Sequence, residues 1–265
     1  MRISILFTDL DGTLLDLDGD ISHEAESGLA RLATLGVPVC ALTSKTAAEL
    51  SPLLGHLRIS SPAGFENGAG ILFPGGYPQL SDRAVPAWVL RDIADGLRRK
   101  TGAPLRTIWE LTDHELGALT GLSASHFPAV RERLASAPLL VEEKWDQALA
   151  EALPPERSLT LVRGNRFLHL QGSHDKGTVV NRLLAAVPRP SGFVVACGDS
   201  PNDIPMLEAA EVRVIIPSAL GPHPSLIERF PGAIVAPYPH GKGWAGAIDL
   251  LLNGTTEHEQ PRYPS

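Results

Sequence analysis

An α/β fold with a parallel sheet and an inserted second unit is what this sequence predicts, and three observations carry the prediction. Short apolar β-like runs alternate with helical patterns through residue 81; longer helical stretches with isolated β-like pieces replace them between residues 82 and 171; the alternation resumes from residue 172. The expected organisation is therefore one core made of residues 1–81 and 172–265, its sheet flanked by helices, with an α+β insert at 82–171.

"ISILFTD" is the first strand, since Ile3, Ile5, Leu6 and Phe7 are β-formers suited to the middle of a sheet. Residues 22–35 follow as a helix, with Ser22 before acidic residues as its N-cap and Gly36 closing it. "VPVCAL" is a strand and residues 46–55 a helix; "RISSPAGFENGAGILFPGG" supplies a short strand, a turn and a small hairpin around Asn67 and Gly68. In the insert, "PAWVLRDIADGLRRKTG", "SASHFPAVRERLA" and "EEKWDQALAEAL" are helical, while "LRTIWEL" and "LTLVRG" are β-like. A helix after Asp175 then leads to the strand "GFVVACGD", a helix near Asn202, the strand "VRVIIP", a helix near 223–229, the strand "GAIVAP" and a last helix at 243–252. The polar tail "NGTTEHEQPRYPS" has no periodicity and is expected to fray.

With 265 residues, 43% hydrophobic and 20% charged, the chain is long enough for a sizeable core. A net charge of −7 argues against a general partnership with nucleic acid or anionic membrane, leaving room only for a local basic pocket. The apolar runs are too short to span a bilayer, and the acidic "DLDG" interrupts any apolar leader, so the cytoplasm is the expected compartment. Cys40 and Cys197 lie in apolar runs and are expected as buried free thiols; the scattered Trp88, Trp109, Trp145 and Trp244 are expected in the core. Lysine is scarce beside arginine, asparagine and glutamine are few and prolines many, the pattern of a thermophilic or GC-rich source.

The chemistry gathers at strand ends. "ILFTDLDGTLLD" closes an apolar strand with Asp9 and Asp11, which project to one side until Gly12 and Thr13 turn the chain. Ligands collect beyond the carboxyl ends of parallel strands, and two carboxylates there suit a hard cation such as Mg²⁺, although an Asp-rich turn explains the motif equally well in isolation. "VACGDSPNDIPML" repeats the arrangement far away, running from a strand into Gly198, Asp199, Asn202 and Asp203. Two acidic clusters on strands separated by a whole insert call for a shared ligand. "ALTSKT" adds Thr43, Ser44 and Lys45, and "SHDKGTVV" adds Lys176 at a helix start. Hydroxyls, backbone N–H groups and ammonium ions around a metal form a phosphate cradle.

In this order the motifs resemble the four motifs of the haloacid dehalogenase (HAD) superfamily, over residues 5–203. The resemblance implies a Rossmann-like core and an enzyme that works through an aspartyl-phosphate. Asp9 would be the nucleophile and Asp11 the acid and base. Thr43, Ser44, Lys45, Lys176 and Asn202 would bind the phosphoryl group, with Lys176 neutralising nucleophile and phosphate. Asp9, Asp11 (through its backbone carbonyl), Asp199 and Asp203 would form the Mg²⁺ site. Such catalysis has to supply on the order of 20 kcal/mol, nearly all from positioned charge.

The place of the insert, between Thr43 and Lys176, resembles the HAD branch with a large mixed α/β cap that selects the leaving group. "TSKT", "FENGAGI", the expected cap helix "TGLSASHFPAVRERLASAPLLVEE" and "VRGNRFLHLQGSHDKG" are together similar to the mannosyl-3-phosphoglycerate phosphatases, though "RERLASAPLL" lacks the aromatic that often follows the Arg-Glu pair. The implied substrate is a small phosphorylated glycosyl-glycerate, mannosyl- or glucosyl-3-phosphoglycerate, and the product a compatible solute. Glu66, Asn67, Gly68, Arg163 and Arg166 would bind it, the arginines with Lys45 taking the glycerate carboxylate, for which guanidinium geometry is suited. His169 is expected to pack or hydrogen-bond within its hairpin. A sucrose-phosphate or broad sugar-phosphate phosphatase, and a phosphomutase using the same aspartyl-phosphate, are the alternatives.

Overall fold

The computed structural model describes residues 1–16, 18–164 and 166–253. Strand β1 (Ile3–Thr8) is buried along its whole length. Helix α1 (His23–Thr34) follows, and the Ser22 hydroxyl caps it by accepting from the Ala25 amide. Next come β2 (Val39–Ala41) and α2 (Ala47–His56), the latter opened by a reciprocal Thr46–Glu49 capping box. A hairpin ladder of β3 (Ala63–Phe65), β4 (Gly70–Leu72) and β5 (Pro78–Leu80) extends this side.

The next stretch contains α3 (Ala87–Thr101), β6 (Arg106–Thr107), α4 (Asp113–Thr120), α5 (Phe127–Arg131), β7 (Ser136–Leu140), α6 (Asp146–Ala152), β8 (Leu159–Arg163) and β9 (Leu168–Gly172). The chain then returns through α7 (Lys176–Ala186), β10 (Phe193–Gly198), α8 (Ile204–Glu208), β11 (Val212–Ile215), α9 (Pro224–Arg229), β12 (Ile234–Val235) and α10 (His240–Asn253).

The central sheet has the order β12-β11-β10-β1-β2, with every pairing parallel. Its two faces are covered by separate apolar layers. Leu6 joins Leu29, Trp244 and Ile248 on one side, while Ile5 and Phe7 join Val180, Leu183 and Leu207 on the other. From β1 the chain goes to β2 on one flank, and from β10 it goes to β11 and β12 on the other. The strand order therefore reverses between β1 and β10, which opens a crevice at their carboxyl ends.

A second sheet, β6-β7-β9-β8, is antiparallel throughout. It has apolar layers of its own: Leu90, Leu97, Leu139, Leu149 and Leu170 form one, and Ile108, Leu116, Phe127, Val130 and Phe167 another. The two crossings between this unit and the central sheet run back to back. At Gly172 a Cβ would lie 2.0 Å from the Arg83 carbonyl oxygen, so only glycine lets the outgoing segment pass the end of β9.

Three local expectations fail for identifiable reasons. "SASHFPAVRERLASAPLL" is no single helix: α5 ends at Arg131, Glu132 leaves helical geometry (ψ 56), and the following residues become β7, whose Ala137 and Leu139 enter the core. In "LRTIWEL" only Arg106 and Thr107 pair as a strand, because Thr107 and Glu110 form a capping box that winds Ile108–Glu110 into a single 3₁₀ turn. Trp88 is 69% exposed near the start of α3, whereas Trp244 is wholly buried. Cys40 and Cys197 are buried free thiols as expected, and burial pushes the Cys40 thiol up to about 12. The expected fraying of the tail falls beyond Asn253, outside the described residues. Among those residues no helix is long and apolar enough to cross a membrane.

Candidate active site

The site grows from the sheet. The Asp9 amide donates to the Cys197 carbonyl (3.0 Å), which continues the β1–β10 ladder one residue past Thr8 and brings the Asp9 carboxylate to the crevice. Gly12, with φ +83, then turns the chain sharply. On β10's side, the Asp203 carboxylate accepts from the Asp199 and Ser200 amides (3.0 and 3.1 Å), so the acidic residue itself shapes its loop. Asp199 accepts from the Thr13 hydroxyl at 3.1 Å, tying the two strand-end loops together.

Lys176, wholly buried at the start of α7, reaches between them. Its Nζ lies 2.6 Å from Asp9 Oδ1 and 2.6 Å from Asp203 Oδ1. Burial opposes its charge, but Asp203 and then Asp9 outweigh that and hold the ammonium above its ordinary value. Burial pushes the Asp9 carboxyl well above the usual carboxylate range; Lys176 pulls against this, while Asp203 and Asp199 push with it. One oxygen each from Asp9, Asp199 and Asp203 falls within 4.8 Å of the others. Three carboxylates, two of them buried, converge on one point, and an all-oxygen donor set is what a hard divalent cation requires. The residues therefore fit Mg²⁺. The Asp11 carboxylate stands apart from this trio and pairs with Lys45 Nζ at 2.9 Å. Burial opposes the Lys45 charge, yet Asp11 foremost, with Glu49, raises it above the ordinary lysine value.

A cavity of about 370 Å³ lies between these strand ends and the antiparallel unit. Its floor includes Asp9, Asp11, Ser44, Lys45, Ser200 and Asn202; its opposite wall includes Arg133, Arg166, Phe167 and His169. Arg166, Ser44, Lys45 and Asn202 thus stand where a ligand would meet them.

Other expected residues do not. Thr43 is 1% exposed and lies off the cavity wall, because its amide bonds the Gly64 carbonyl and its hydroxyl accepts from the Lys45 amide. Arg163 points to the far side of its hairpin, where its guanidinium is engaged by Asp146 and the Val141 carbonyl. Glu66, Asn67 and Gly68 are buried away from the cavity. Left-handed backbone at Glu66 (φ +47) and Asn67 (φ +56) turns their side chains inward. The Glu66 carboxylate accepts from the Leu134 and Ala135 amides and the Ser136 hydroxyl (2.8, 3.0 and 2.6 Å). Gly68 has no room for a Cβ, which would sit 2.1 Å from the Asp175 carbonyl oxygen. This turn lies off the cavity and is bonded to the start of β7.

Two wall residues were missed in the sequence. Arg133, at the break between α5 and β7, donates to the Ser44 carbonyl (2.7 Å) and to the Val130 carbonyl (3.1 Å). Nothing in "RERLA" marks it beyond an arginine placed before a run of small buried residues. His169, expected to serve its hairpin, lines the cavity with only 5% exposure. Burial, with Arg133, Lys176 and Arg163 nearby, holds its imidazole down to about 3, so it is a neutral group.

The profile of the haloacid dehalogenase-like hydrolases matches residues 6–112 and 141–220. A protein of Persephonella marina named glucosyl-3-phosphoglycerate/mannosyl-3-phosphoglycerate phosphatase is 32% identical, over 94% of this chain and 97% of its own. A protein of the same name from Methanococcoides burtonii is 28% identical over the same shares, 94% and 97%. Among solved structures, one from Thermoplasma acidophilum superposes with a TM-score of 0.71 at 19% identity, covering 96% of this chain and 99% of that one. A haloalkanoate-superfamily phosphatase from Bacteroides thetaiotaomicron gives 0.70 at 19%, covering 95% of each. At such identities the two structures speak for the fold alone.

Proposed function

Because the chain belongs to the haloacid dehalogenase-like hydrolases and its named relatives are phosphatases, we propose that it is a Mg²⁺-dependent phosphatase that removes the phosphate of mannosyl- or glucosyl-3-phosphoglycerate to release the glycosylglycerate. The observation that carries this reading is the cavity that sets Asp9 and Asp11 on one side and two arginines, Arg133 and Arg166, on the other. A dianionic phosphate meets the floor, and a second anionic group on the leaving portion meets the wall.

In this reading Asp9 attacks phosphorus and the P–O bond to the glycerate oxygen breaks, leaving an aspartyl-phosphate. Lys176, bonded to the attacking carboxylate, favours the anionic form of that carboxylate against the effect of burial and offsets the phosphate's charge. Asp11 hands a proton to the departing alkoxide, then takes one from the water that cleaves the acyl-phosphate. Lys45 orients Asp11 before substrate arrives and gains the phosphate as a competing partner afterwards. Ser44 and Asn202 donate to the phosphoryl oxygens. Asp9, Asp199 and Asp203 would hold Mg²⁺, which supplies the positive charge that lets two anions approach. The antiparallel unit, over residues 82–171, acts as the cap that excludes water and reads the glycosyl-glycerate.

The test is phosphate release from a panel: mannosyl- and glucosyl-3-phosphoglycerate against sucrose 6-phosphate, trehalose 6-phosphate and simple hexose phosphates. The expected kcat/KM for the glycosyl-3-phosphoglycerates exceeds the others by about tenfold or more, without any sugar bisphosphate activator. EDTA stops turnover and Mg²⁺ restores it. Equal efficiency across the panel overturns the substrate assignment, a bisphosphate requirement overturns hydrolysis as the physiological reaction, and indifference to chelation overturns the metal site.

A further inference from the structure

Two buried carboxamides, Asn67 and Gln171, do nothing in the chemistry above, yet they form a continuous chain with a third that lines the cavity. Asn202 Nδ2 donates to Asn67 Oδ1 at 3.2 Å, and Asn67 Nδ2 donates to Gln171 Oε1 at 3.4 Å. Gln171 Nε2 ends the chain on the His174 carbonyl at 2.8 Å. Asn67 and Gln171 are 2% and 0% exposed and neither touches the cavity.

We propose that the Asn67 carboxamide is a positioning group, which aims the Asn202 amide at the phosphoryl site and is itself held in place by Gln171 of the antiparallel unit. The inference rests on the reading that Asn202 faces the phosphate.

Three features of the chain carry it. The Asn202 side chain has both its ends committed, Oδ1 to the Ser200 hydroxyl and one N–H to Asn67. Its second N–H is then the donor left for a ligand, in a direction that Asn67 determines. Asn67 in turn is not free to follow Asn202. Its amide bonds the Thr43 carbonyl at 2.9 Å, and its left-handed backbone (φ +56) is shared with Glu66, which binds the start of β7. Finally, burying two carboxamides in the seam between two sheets is costly unless every polar atom finds a partner, and an apolar pair would fill the same space. Here the partners run in one line from the seam to the cavity. A displacement of β9 relative to the central sheet moves Gln171, and through Asn67 it turns the amide of Asn202.

The experiment is a double-mutant cycle on the whole enzyme with Mg²⁺, read as the inhibition constant of inorganic phosphate against p-nitrophenyl phosphate hydrolysis, with thermal midpoints measured in parallel. Asn67→Gly keeps the left-handed backbone and deletes the carboxamide; Asn202→Ala deletes the aimed group; Gln171→Met cuts the far link at nearly constant volume. Each of the first two is expected to raise the phosphate constant by about tenfold, the loss of one hydrogen bond to an anion. In the Asn202→Ala background, Asn67→Gly and Gln171→Met are expected to raise it no further, although both still lower the thermal midpoint. A purely structural Asn67 would instead lower the midpoint and leave the constant alone, which overturns the proposal, as does full multiplication of the two effects. If Asn202→Ala itself leaves the constant unchanged, the phosphate-facing reading of Asn202 falls, and the proposal with it. Should Asn67→Gly fail to fold, Gln171→Met with Asn202→Ala completes the cycle on the same criteria.

Discussion

The two sheets of this protein are built on opposite plans. In the parallel sheet every β1 side chain is buried, and reactive groups appear only where strands stop, at Asp9 and Asp199. Among the described residues that line the cavity, His169 is the one carried by a strand of the antiparallel sheet; Arg133 and Arg166 come from breaks between elements. The difference teaches a division of labour. On the proposed reading, strand ends in a doubly covered sheet hold the atoms for bond-making, while breaks and turns supply groups that read shape and charge at a longer reach.

That contrast can be broken by substitution, and the largest effect belongs to the parallel sheet. Asn in place of Asp9 is expected to cut kcat on the order of 10⁴-fold or more and to abolish the fluoroberyllate adduct, with circular dichroism unchanged. Retained turnover would remove Asp9 as the nucleophile.

Next in size is the wall. Arg166→Ala is expected to raise KM for glycosyl-3-phosphoglycerates by roughly 10- to 100-fold, the worth of a charged hydrogen bond, while p-nitrophenyl phosphate turnover stays within about twofold. Arg163→Gln serves as the counter-case, since its guanidinium is spent on Asp146; it should alter the melting temperature slightly and KM not at all. A KM effect at Arg163 equal to that at Arg166 would erase the distinction between them.

A smaller effect is expected at the seam. Glu66→Gln replaces one of two oxygens that accept from the β7 side with an N–H, and should cost about 1–3 kcal/mol in chemical denaturation. An unchanged unfolding midpoint would mean that those three hydrogen bonds contribute nothing to joining the sheets.

The smallest is a pH dependence. Burial foremost holds the folded His169 imidazole down to about 3, below its ordinary value of 6.5, so between those values the unfolded chain binds a proton that the folded one refuses. Stability therefore rises with pH across that window and declines as pH falls below about 6.5. His169→Gln is expected to flatten the decline relative to the parent, measured as thermal midpoint against pH; parallel curves would show that the imidazole is not buried neutral.

Legibility in the sequence followed the same division. That Asp9, Asp11, Lys176, Asp199 and Asp203 gather at neighbouring strand ends was legible because each sits in a local pattern, an apolar run meeting polar residues at a turn, and local patterns survive folding intact. The order of strand and helix in the parallel sheet was readable for the same reason. Arg133 carried no signal in the sequence, and Arg163, expected at the ligand, lies off the cavity lining, because which side of a short strand or helix end meets the cavity depends on packing between segments far apart in the chain. The family resemblance carried by "FENGAGI" implied that Glu66 and Asn67 bind a ligand; here two left-handed residues aim both side chains into the seam. The β7 strand hid inside a helical-looking stretch because Ser136, Ala137 and Pro138 carry little propensity, and pairing with β9 decided the matter.

The glycine at 172, pressed against the Arg83 carbonyl, has a consequence for how such an enzyme diversifies. Outgoing and returning chain leave the parallel sheet side by side, so whatever lies between them hangs from one stem whose span does not depend on its contents. Closing a longer or shorter excursion over the same gap changes the chain entropy only slowly with length. The stretch beyond the stem is therefore open to exchange, enlargement or redrawing as an evolutionary module, and a lineage can try new leaving groups without disturbing the apparatus that breaks the phosphate bond.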